Sequence, residues 1–320
     1  MYQEATLPLF PMLPAAGRPA PDAEALRRRA GVDYFDLLVR EILNKSNPAS
    51  AARLPFDWTI NPYRGCEFGC VYCYARATHG FFESTSPDDF ETRIFVKRNA
   101  AERLIQRLRK SDLRGQTIAI GTATDPYQPA EKHFGVTRSL LEAFTAVEGL
   151  NLSITTKSPL VLKDLDLLAE LDRKHAMEIH MSITTLDREL ARKLDPAAPE
   201  PQARLRAVER LAEAGIAVTV NCMPVMPGIN DSEAELGPLF EAALAAGAID
   251  VHQQALFLKP ASRDKFFPWL KAEFPHLLGM YQRLYAKNDY LEGSAKDQLL
   301  TNFRRLRLQH GLPRAQAAHA

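Results

Sequence analysis

Three of the four cysteines in the chain lie in one short stretch, where they could bind a metal centre together. They are Cys66, Cys70 and Cys73, and their spacing is C-x3-C-x2-C. Thiolates at such short intervals can turn inward on one loop and hold an iron–sulfur cluster, which is normally bound by four cysteines. A four-iron cluster on three cysteines leaves one iron without a protein ligand. That iron can bind a small molecule through nitrogen and oxygen, such as the end group of an amino acid.

A structural zinc ion is the main alternative for the same cysteines. Zinc takes four ligands in tetrahedral geometry, and the fourth would have to come from another residue such as His79. Common zinc loops use two C-x2-C motifs, or one such motif with two histidines, and the sequence has neither pattern. Cysteines that only fill a core are rarely gathered among so many Gly, Asn and Pro residues. The spacing therefore favours a cluster over zinc, and zinc over core filling.

The stretch around the cysteines resembles a known family signature. The spacing, with an aromatic residue (Tyr72) before the third cysteine, is similar to that of the radical SAM superfamily, which uses S-adenosylmethionine (SAM). The longer string INPYRGCEFGCVYCYAR (60–76) resembles the branch that contains spore photoproduct lyase. Four further motifs carry the same resemblance: TDPYQPAE (124–131), TKSPLVLKDLDLL (156–168), SITTLD (182–187) and PVMPGIND (224–231). The resemblance runs from about residue 42 to residue 313.

The resemblance implies a [4Fe–4S] cluster on the three cysteines, with SAM bound beside it. Tyr72 would lie near the adenine, and Ser182 and Thr184 would contact the ribose or the methionyl group. Thr122, Thr124 and Asp125 offer oxygen acceptors for the methionyl ammonium. The complete set of predicted SAM contacts is Tyr72, Thr122, Thr124, Asp125, Lys157, Ser158, Ser182 and Arg204.

Two cations in this set could bind the SAM carboxylate. Lys157 ends a predicted strand, and Arg204 opens a predicted helix, where a guanidinium can bind a carboxylate through two hydrogen bonds. Structural alternatives stay open for several members of the set. Tyr72 could pack under the loop, Asp125 could belong to an Asp-Pro turn that ends a strand, and the two cations could be solvated surface charges.

The fourth cysteine, Cys222, lies far from the other three in the sequence. In spore photoproduct lyase a cysteine thiol donates a hydrogen atom, but the motif around that donor is not found around Cys222. We interpret Cys222 as a buried, inert thiol.

These residues need a scaffold, and from Trp58 onward the sequence alternates strand and helix. Strands are predicted at 58–60, 117–121, 152–156, 178–183, 217–221 and 250–258, and helices at 97–110, 137–147, 161–173, 188–193, 201–214 and 232–246. The spacing of the strands matches the length of a βαβ unit, and six units are fewer than the eight of a closed TIM barrel. We therefore predict an α/β fold, an open partial (βα)6 TIM-like barrel, which is also the radical SAM core fold. Ligands in such sheets bind at the carboxyl ends of the strands, where the motifs lie.

Three domains are predicted along the chain. Residues 1–55 form an N-terminal extension, with a proline-rich leader up to residue 24 and an amphipathic helix at 34–43. Residues 56–260 form the radical SAM core. Residues 261–320 form a helical cap, with helices at 264–273, 276–286 and 295–310.

Composition sets few limits on partners. The formal net charge is +1, with 46% hydrophobic and 25% charged residues, which is ordinary for a globular protein. A dedicated duplex binder is usually more basic. Four cysteines, three of them grouped, fit a reducing compartment. Neither a secretory signal nor an apolar run of membrane-spanning length is visible, so we expect a cytoplasmic protein that does not insert into a membrane.

The activity that the resemblance implies is reductive cleavage of SAM to a 5′-deoxyadenosyl radical, which takes a hydrogen atom from a substrate. The reaction needs a low-potential electron donor such as flavodoxin or ferredoxin. The substrate is not given by the sequence, although kinship with a DNA-repair lyase makes damaged nucleic acid a candidate. Two other functions stay open: an iron–sulfur redox sensor, and a zinc-stabilised module that binds nucleic acid or protein without catalysis.

Overall fold

The computed structural model describes residues 27–29, 31–46, 55–82 and 86–312. The predicted leader before residue 24 and the tail after residue 313 lie outside these ranges. In chain order the strands are β1 (Arg27–Arg29), β2 (Val32–Asp36), β3 (Asn44–Lys45), β4 (Trp58–Ile60), β5 (Tyr63–Arg64), β6 (Arg93–Val96), β7 (Thr117–Ile120), β8 (Asn151–Thr156), β9 (Ala176–Ser182), β10 (Ala217–Val225) and β11 (Asp250–Ala255).

The helices follow the strands as the sequence predicts. They are α1 (Asp89–Thr92), α2 (Ala100–Lys110), α3 (Glu131–Phe134), α4 (Val136–Phe144), α5 (Leu165–Asp172), α6 (Arg188–Leu194), α7 (Pro201–Glu213), α8 (Glu233–Ala245), α9 (Pro260–Glu273), α10 (Leu278–Leu284) and α11 (Gly293–Gln309). Short 3-10 helices span Tyr74–Phe82, Pro159–Asp164 and Pro275–Leu277. None of the helices in the described part of the chain combines the length and the apolar character that a membrane crossing requires.

The larger sheet is an open half-barrel. Its order is β3-β4-β7-β8-β9-β10-β11, and its six strands β4, β7, β8, β9, β10 and β11 pair in parallel in the order of the chain. β3 pairs antiparallel with β4 at one edge, and β11 forms the other edge. Within the described residues the sheet does not close on itself, which confirms the predicted open (βα)6 arrangement.

The core lies between the outer face of this sheet and the helices. Successive side chains of a strand point to opposite faces, and on β8 Leu152 and Ile154 are buried while Ser153 and Thr155 are partly exposed. β9 repeats the pattern, with Ile179 buried among apolar residues. The outer apolar residues therefore hold the helices against the sheet, and the inner face carries the polar ones.

The prediction of a helix at 34–43 is wrong. This segment contains β2 and an extended stretch, in which Leu37 and Val39 are buried whereas Leu38 is 65% exposed. Alternation of that kind has the period of a strand. The partner of β2 is β6, a strand that the sequence prediction missed, and the two belong to a small sheet of order β1-β2-β6-β5.

The three C-terminal helices are present close to their predicted positions, and α11 covers the exposed edge of the half-barrel. Arg307 of α11 is almost completely buried and its Nη1 donates a hydrogen bond of 2.6 Å to the carbonyl oxygen of Val251 on β11. The same guanidinium binds both carboxylate oxygens of Asp250, at 2.5 and 3.1 Å. An edge strand with unpaired backbone groups is a site of unwanted pairing, and this helix protects it. The three domain boundaries stay predictions.

Candidate functional site

The three clustered cysteines lie on a loop that follows β4 and β5, here called the cluster loop (residues 65–73). Their thiols are free and largely buried. Burial is the main cause that raises the pKa of each thiol above its ordinary value. Cys73 further raises the pKa of both Cys66 and Cys70, because a second thiolate nearby disfavours ionisation. Cys73 thus lies close enough to Cys66 and Cys70 on this loop to affect their ionisation.

Gly65 lets the cluster loop approach its neighbours closely. Its φ of +80° is in the left-handed region, and an added Cβ atom would lie 2.8 Å from the carbonyl oxygen of Phe90. The next residue, Cys66, donates its backbone N–H to that same oxygen at 2.9 Å. Only glycine allows this conformation and this approach together.

The donor set fits an iron–sulfur cluster. Cysteine thiolates are the usual ligands of such clusters, and here three free thiols lie on one short loop. Within the described ranges, no group of three His, Cys, Asp or Glu side chains is arranged to hold a single metal ion. His79, the candidate fourth zinc ligand, has its ring packed beside Phe90 and Phe95, at 5.6 Å between centroids in each case. The absence of a preformed ligand group in the described ranges applies to a cluster and to a zinc ion alike, whereas the packing of His79 among aromatic rings bears on zinc alone.

The TDPYQPAE motif holds the cluster loop in place from the adjacent strand end. Thr124 donates its hydroxyl to the carbonyl oxygen of Gly65 at 2.6 Å. Gln128, which the sequence interpretation did not single out, donates to the same oxygen at 3.1 Å and accepts the backbone N–H of Glu67 at 3.0 Å. Thr122 accepts a hydrogen bond of 3.1 Å from Asn61, just upstream of the loop.

Asp125 connects this motif to the end of β8. Its carboxylate accepts the hydroxyl of Thr156 and the backbone N–H of Lys157, both at 2.7 Å, and the backbone N–H of Tyr127 at 2.9 Å. Burial raises the pKa of Asp125 despite these bonds. Asp125 therefore lies at the edge of the sheet where the parallel strands end, as predicted, and its carboxylate is held there as a hydrogen-bond acceptor.

The two residues after β8 lie at the same edge. The ammonium of Lys157 lies 5.7 Å from the centroid of the Tyr72 ring, a cation–π distance. Burial lowers the pKa of Lys157, but Cys70 and Asp195 raise it, and the net shift is upward. Ser158 caps the following 3-10 helix, because its hydroxyl accepts the N–H of Leu160 at 3.2 Å.

Asp195 is the residue at this edge that sequence reasoning missed. Its buried carboxylate accepts the Tyr72 hydroxyl at 2.5 Å and lies 3.1 Å from Nη1 of Arg204. Burial raises the pKa of Asp195, whereas Lys157 and Arg204 lower it, and the net shift is downward. The only sequence signal is that Asp195 precedes the Pro-rich loop before Arg204.

Tyr72 and Arg204 also reach the end of β9. The Tyr72 hydroxyl lies 3.2 Å from the Thr184 hydroxyl, and Arg204 donates to the carbonyl oxygen of Ser182 at 3.0 Å. The structure therefore brings all the predicted SAM contacts to one rim around the cluster loop, here called the rim. Their roles toward SAM stay predictions.

Cys222 lies apart from the rim. It is completely buried, and burial raises its pKa to about 12. Its neighbour Asn221 pairs with Ser182 and shares the inner face of the sheet, so Cys222 points toward the helices. This placement agrees with a buried, unreactive thiol.

A buried lysine fixes the segment that enters the cluster loop. Lys97 is 3% exposed, and its ammonium donates a 2.5 Å hydrogen bond to the carbonyl oxygen of Asn61. Asn61 in turn accepts the backbone N–H of Ala123 at 2.7 Å. Burial, with a smaller contribution from Arg64, lowers the pKa of Lys97 to about 7.

This lowered pKa predicts that the free energy of unfolding depends on pH, and that Lys97→Met removes this contribution. An unfolded lysine has a pKa near 10.4, so between about pH 7 and pH 10 the unfolded chain binds more protons at Lys97 than the folded chain. The free energy of unfolding should rise with pH in this window, by about 1 kcal/mol per unit from this residue alone. Urea unfolding at pH 7, 8 and 9 should show a smaller rise in Lys97→Met, whereas Lys110→Met, at an exposed position, should keep the wild-type rise. Equal slopes for the wild type and Lys97→Met would contradict the assignment.

An open parallel half-barrel, with three free thiols on one loop at the carboxyl edge of its strands, defines an α/β scaffold for a cysteine-bound cofactor. The model of the radical SAM superfamily matches residues 60–236, more than half of the chain, and the chain belongs to that superfamily. Membership supports a radical SAM enzyme and implies a [4Fe–4S] cluster and SAM as its cofactors.

Similar proteins agree with this assignment. An uncharacterised protein of Mycobacterium tuberculosis H37Rv is 37% identical over 269 residues, which are 84% of this chain and 78% of the relative. A protein of Pseudomonas phage M6 named radical SAM Nalpha-GlyT isomerase is 29% identical over 204 residues, which are 62% of this chain and 39% of that protein. Spore photoproduct lyase, solved in complex with dinucleoside spore photoproduct, has a similar fold, with a TM-score of 0.64, 18% identity, and coverage of 87% of this chain and 79% of the lyase.

Proposed function

We propose that this protein is a radical SAM enzyme that binds a [4Fe–4S] cluster through Cys66, Cys70 and Cys73 and binds SAM along the rim. The observation that carries the proposal is that three free thiols on one loop lie beside polar side chains from the ends of three successive strands, β7, β8 and β9. When bound, the cluster and SAM supply a low-potential electron and a 5′-deoxyadenosyl radical that abstracts a hydrogen atom. Lysine and carboxylate groups at the rim suit the two charged ends of an amino acid.

The protein's own part is to hold these groups in place and to limit the access of water. Asp125 and Thr124 offer acceptors for an ammonium, Lys157 offers a cation for a carboxylate, and Tyr72 offers a ring face beside them. The hydrogen bonds of Thr124 and Gln128 to Gly65 tie the cluster loop to the rim. The cluster site and the SAM site are thereby built on one frame, which favours a fixed distance between the reacting groups.

For the substrate we propose a base of a nucleic acid or nucleotide. Spore photoproduct lyase, whose fold is similar, has been solved with a dinucleoside ligand. The net charge of +1 argues for recognition of individual bases more than of a long duplex. A flavodoxin or ferredoxin as the electron donor, and a cytoplasmic location, remain predictions.

The test is anaerobic reconstitution with iron and sulfide, followed by SAM and dithionite and an assay for 5′-deoxyadenosine. We expect a brown protein with about four iron atoms per chain that releases 5′-deoxyadenosine. A brown protein that releases none, alone or with nucleic acid added, would favour the redox sensor. A colourless protein with stoichiometric zinc would favour the zinc module.

A further inference from the structure

The inner face of the half-barrel is polar below the rim, which is unusual for a parallel sheet. Strands covered on both faces are normally apolar throughout, and a packed barrel interior contains branched aliphatic residues. Here the inward positions of β8 to β11 are polar: Thr155, His180, Thr219, Asn221, Asp250 and His252. The outward positions of the same strands are apolar and buried, for example Ile154, Val220 and Val251. This polar inner face is here called the lumen.

Two imidazole rings converge in the lumen. His180 on β9 and His252 on β11 are separated by β10, yet their ring centroids are 6.0 Å apart with planes inclined by 34°. The rings thus lean over β10, where Thr219 is completely buried and Asn221 is 8% exposed. His252 remains accessible, with 42% of its side chain exposed.

Hydrogen-bonding capacity on β10 is unused. The Thr219 hydroxyl is buried without a hydrogen-bond partner in the described part of the chain. Asn221 Oδ1 likewise has no hydrogen bond of normal length and angle there, although a weaker interaction of the Asn221 side chain with His180 raises the pKa of that imidazole. A buried polar atom without a partner has a substantial free-energy cost, and a bound polar ligand would remove it.

The charges of the lumen disfavour an anionic ligand. Its carboxylates are Glu178, 3.8 Å from His180, and Asp250, which binds both Arg307 and His252. Burial lowers the pKa of His180, so its ring is mainly neutral near pH 7. An uncharged group with both donors and acceptors matches this surface, whereas a phosphate or a carboxylate does not.

We propose that Asn221, His180 and His252 bind an uncharged base of the substrate in the lumen, beneath SAM at the rim. The inference rests on the proposed function and names the recognition site within it. Imidazole rings are surfaces on which bases stack, and an asparagine amide can donate to and accept from the edge of a base. Asn221 and His252 pair across β10 and β11 at the level of Ser182, so the base would lie next to the predicted SAM site.

The test compares two pentanucleotide probes on the reconstituted, SAM-bound protein. One probe carries a single thymine among abasic positions, and the other is abasic throughout, so that both have the same phosphates. Fluorescence anisotropy should show at least about fivefold tighter binding of the thymine probe, the discrimination expected of one good asparagine–base contact. Asn221→Ala should remove this preference without changing the Kd of the abasic probe, and His252→Ala should reduce it. The control Ser153→Ala, two levels below Asn221 on the same inner face, should keep it.

Equal binding of the two probes by the wild type, or a preference that survives in Asn221→Ala, would overturn the proposal. Competition by an N-acetylated dipeptide amide but not by thymidine would also overturn it in favour of a peptide substrate. The same samples are assayed for 5′-deoxyadenosine released from SAM without any probe. Absence of that product both without a probe and with the thymine probe refutes the proposed function, whereas its presence together with equal probe binding refutes only the recognition site.

Discussion

Replacement of any one of Cys66, Cys70 and Cys73 by alanine is expected to abolish release of 5′-deoxyadenosine and to reduce bound iron to below about a tenth of the wild-type content. A cluster held by three thiolates loses a third of its protein ligands in each variant, and protein donors able to replace a thiolate are scarce at this place. Loss of a metal ligand is among the largest effects a single substitution can have. Iron and sulfide content, absorbance near 400 nm and product release would be measured in parallel.

The remaining cysteine gives the matched control. Cys222 is fully buried on the helix-facing side of β10, so Cys222→Ala should keep iron content and product release within about twofold of the wild type. Its cost is a small cavity, and the expected loss of stability is about 1 kcal/mol. Wild-type iron in a Cys70→Ala variant would contradict the assignment of the ligands. A Cys222→Ala variant with full iron and no product would assign that thiol a role in the reaction.

The half-barrel could be predicted from the sequence because its signals are local. Each βα unit carries a buried apolar strand, a helical pattern and a turn, and the predicted strand at 58–60 agrees with β4 to the residue. The segment at 34–43 was wrongly predicted to be a helix because its apolar residues also fit a helical spacing. Its structure is decided by pairing with β6, some sixty residues later in the chain, and such a partner is not visible in a local pattern.

The cysteines could be predicted because ligands of one cluster lie close together in the sequence. Asp195 could not, because it meets Tyr72 only through the fold, 123 positions away along the chain. The same holds for Gln128, which binds the cluster loop from the next strand end. A sequence pattern shows which residues are of a type that can bind a charged ligand. The fold decides which of these residues instead form ion pairs with each other, as Asp195 and Arg204 do.

Replacement of Asp195 by asparagine is expected to lower the free energy of unfolding by about 3 kcal/mol, since it leaves the buried guanidinium of Arg204 without its counter-charge. Asparagine has nearly the same shape, so the loss would come from charge and hydrogen bonding. Tyr72→Phe removes one hydrogen bond to the same carboxylate and should cost about 1.5 kcal/mol. The loss of unfolding free energy in the double variant should be smaller than the sum of the two single losses, because both changes remove the same contact.

Glu200→Gln is the matched control, since Glu200 forms an exposed ion pair with Arg188 at 2.6 Å near the same loop. Exposed pairs contribute little, so urea unfolding should show a loss below about 1 kcal/mol. If Glu200→Gln and Asp195→Asn cost the same, the buried contacts of Asp195 have no special role in stability.

The same variants decide what Arg204 does. Arg204→Gln should match Asp195→Asn in stability, because each substitution leaves one buried charge without its partner. The Kd for SAM is then compared in the two reconstituted variants. An equal rise in both means that Arg204 acts by holding Asp195, Tyr72 and the rim in place. A rise at least about tenfold greater in Arg204→Gln would instead support the direct contact with the SAM carboxylate, because a charge-assisted hydrogen bond is worth about 1.5–3 kcal/mol.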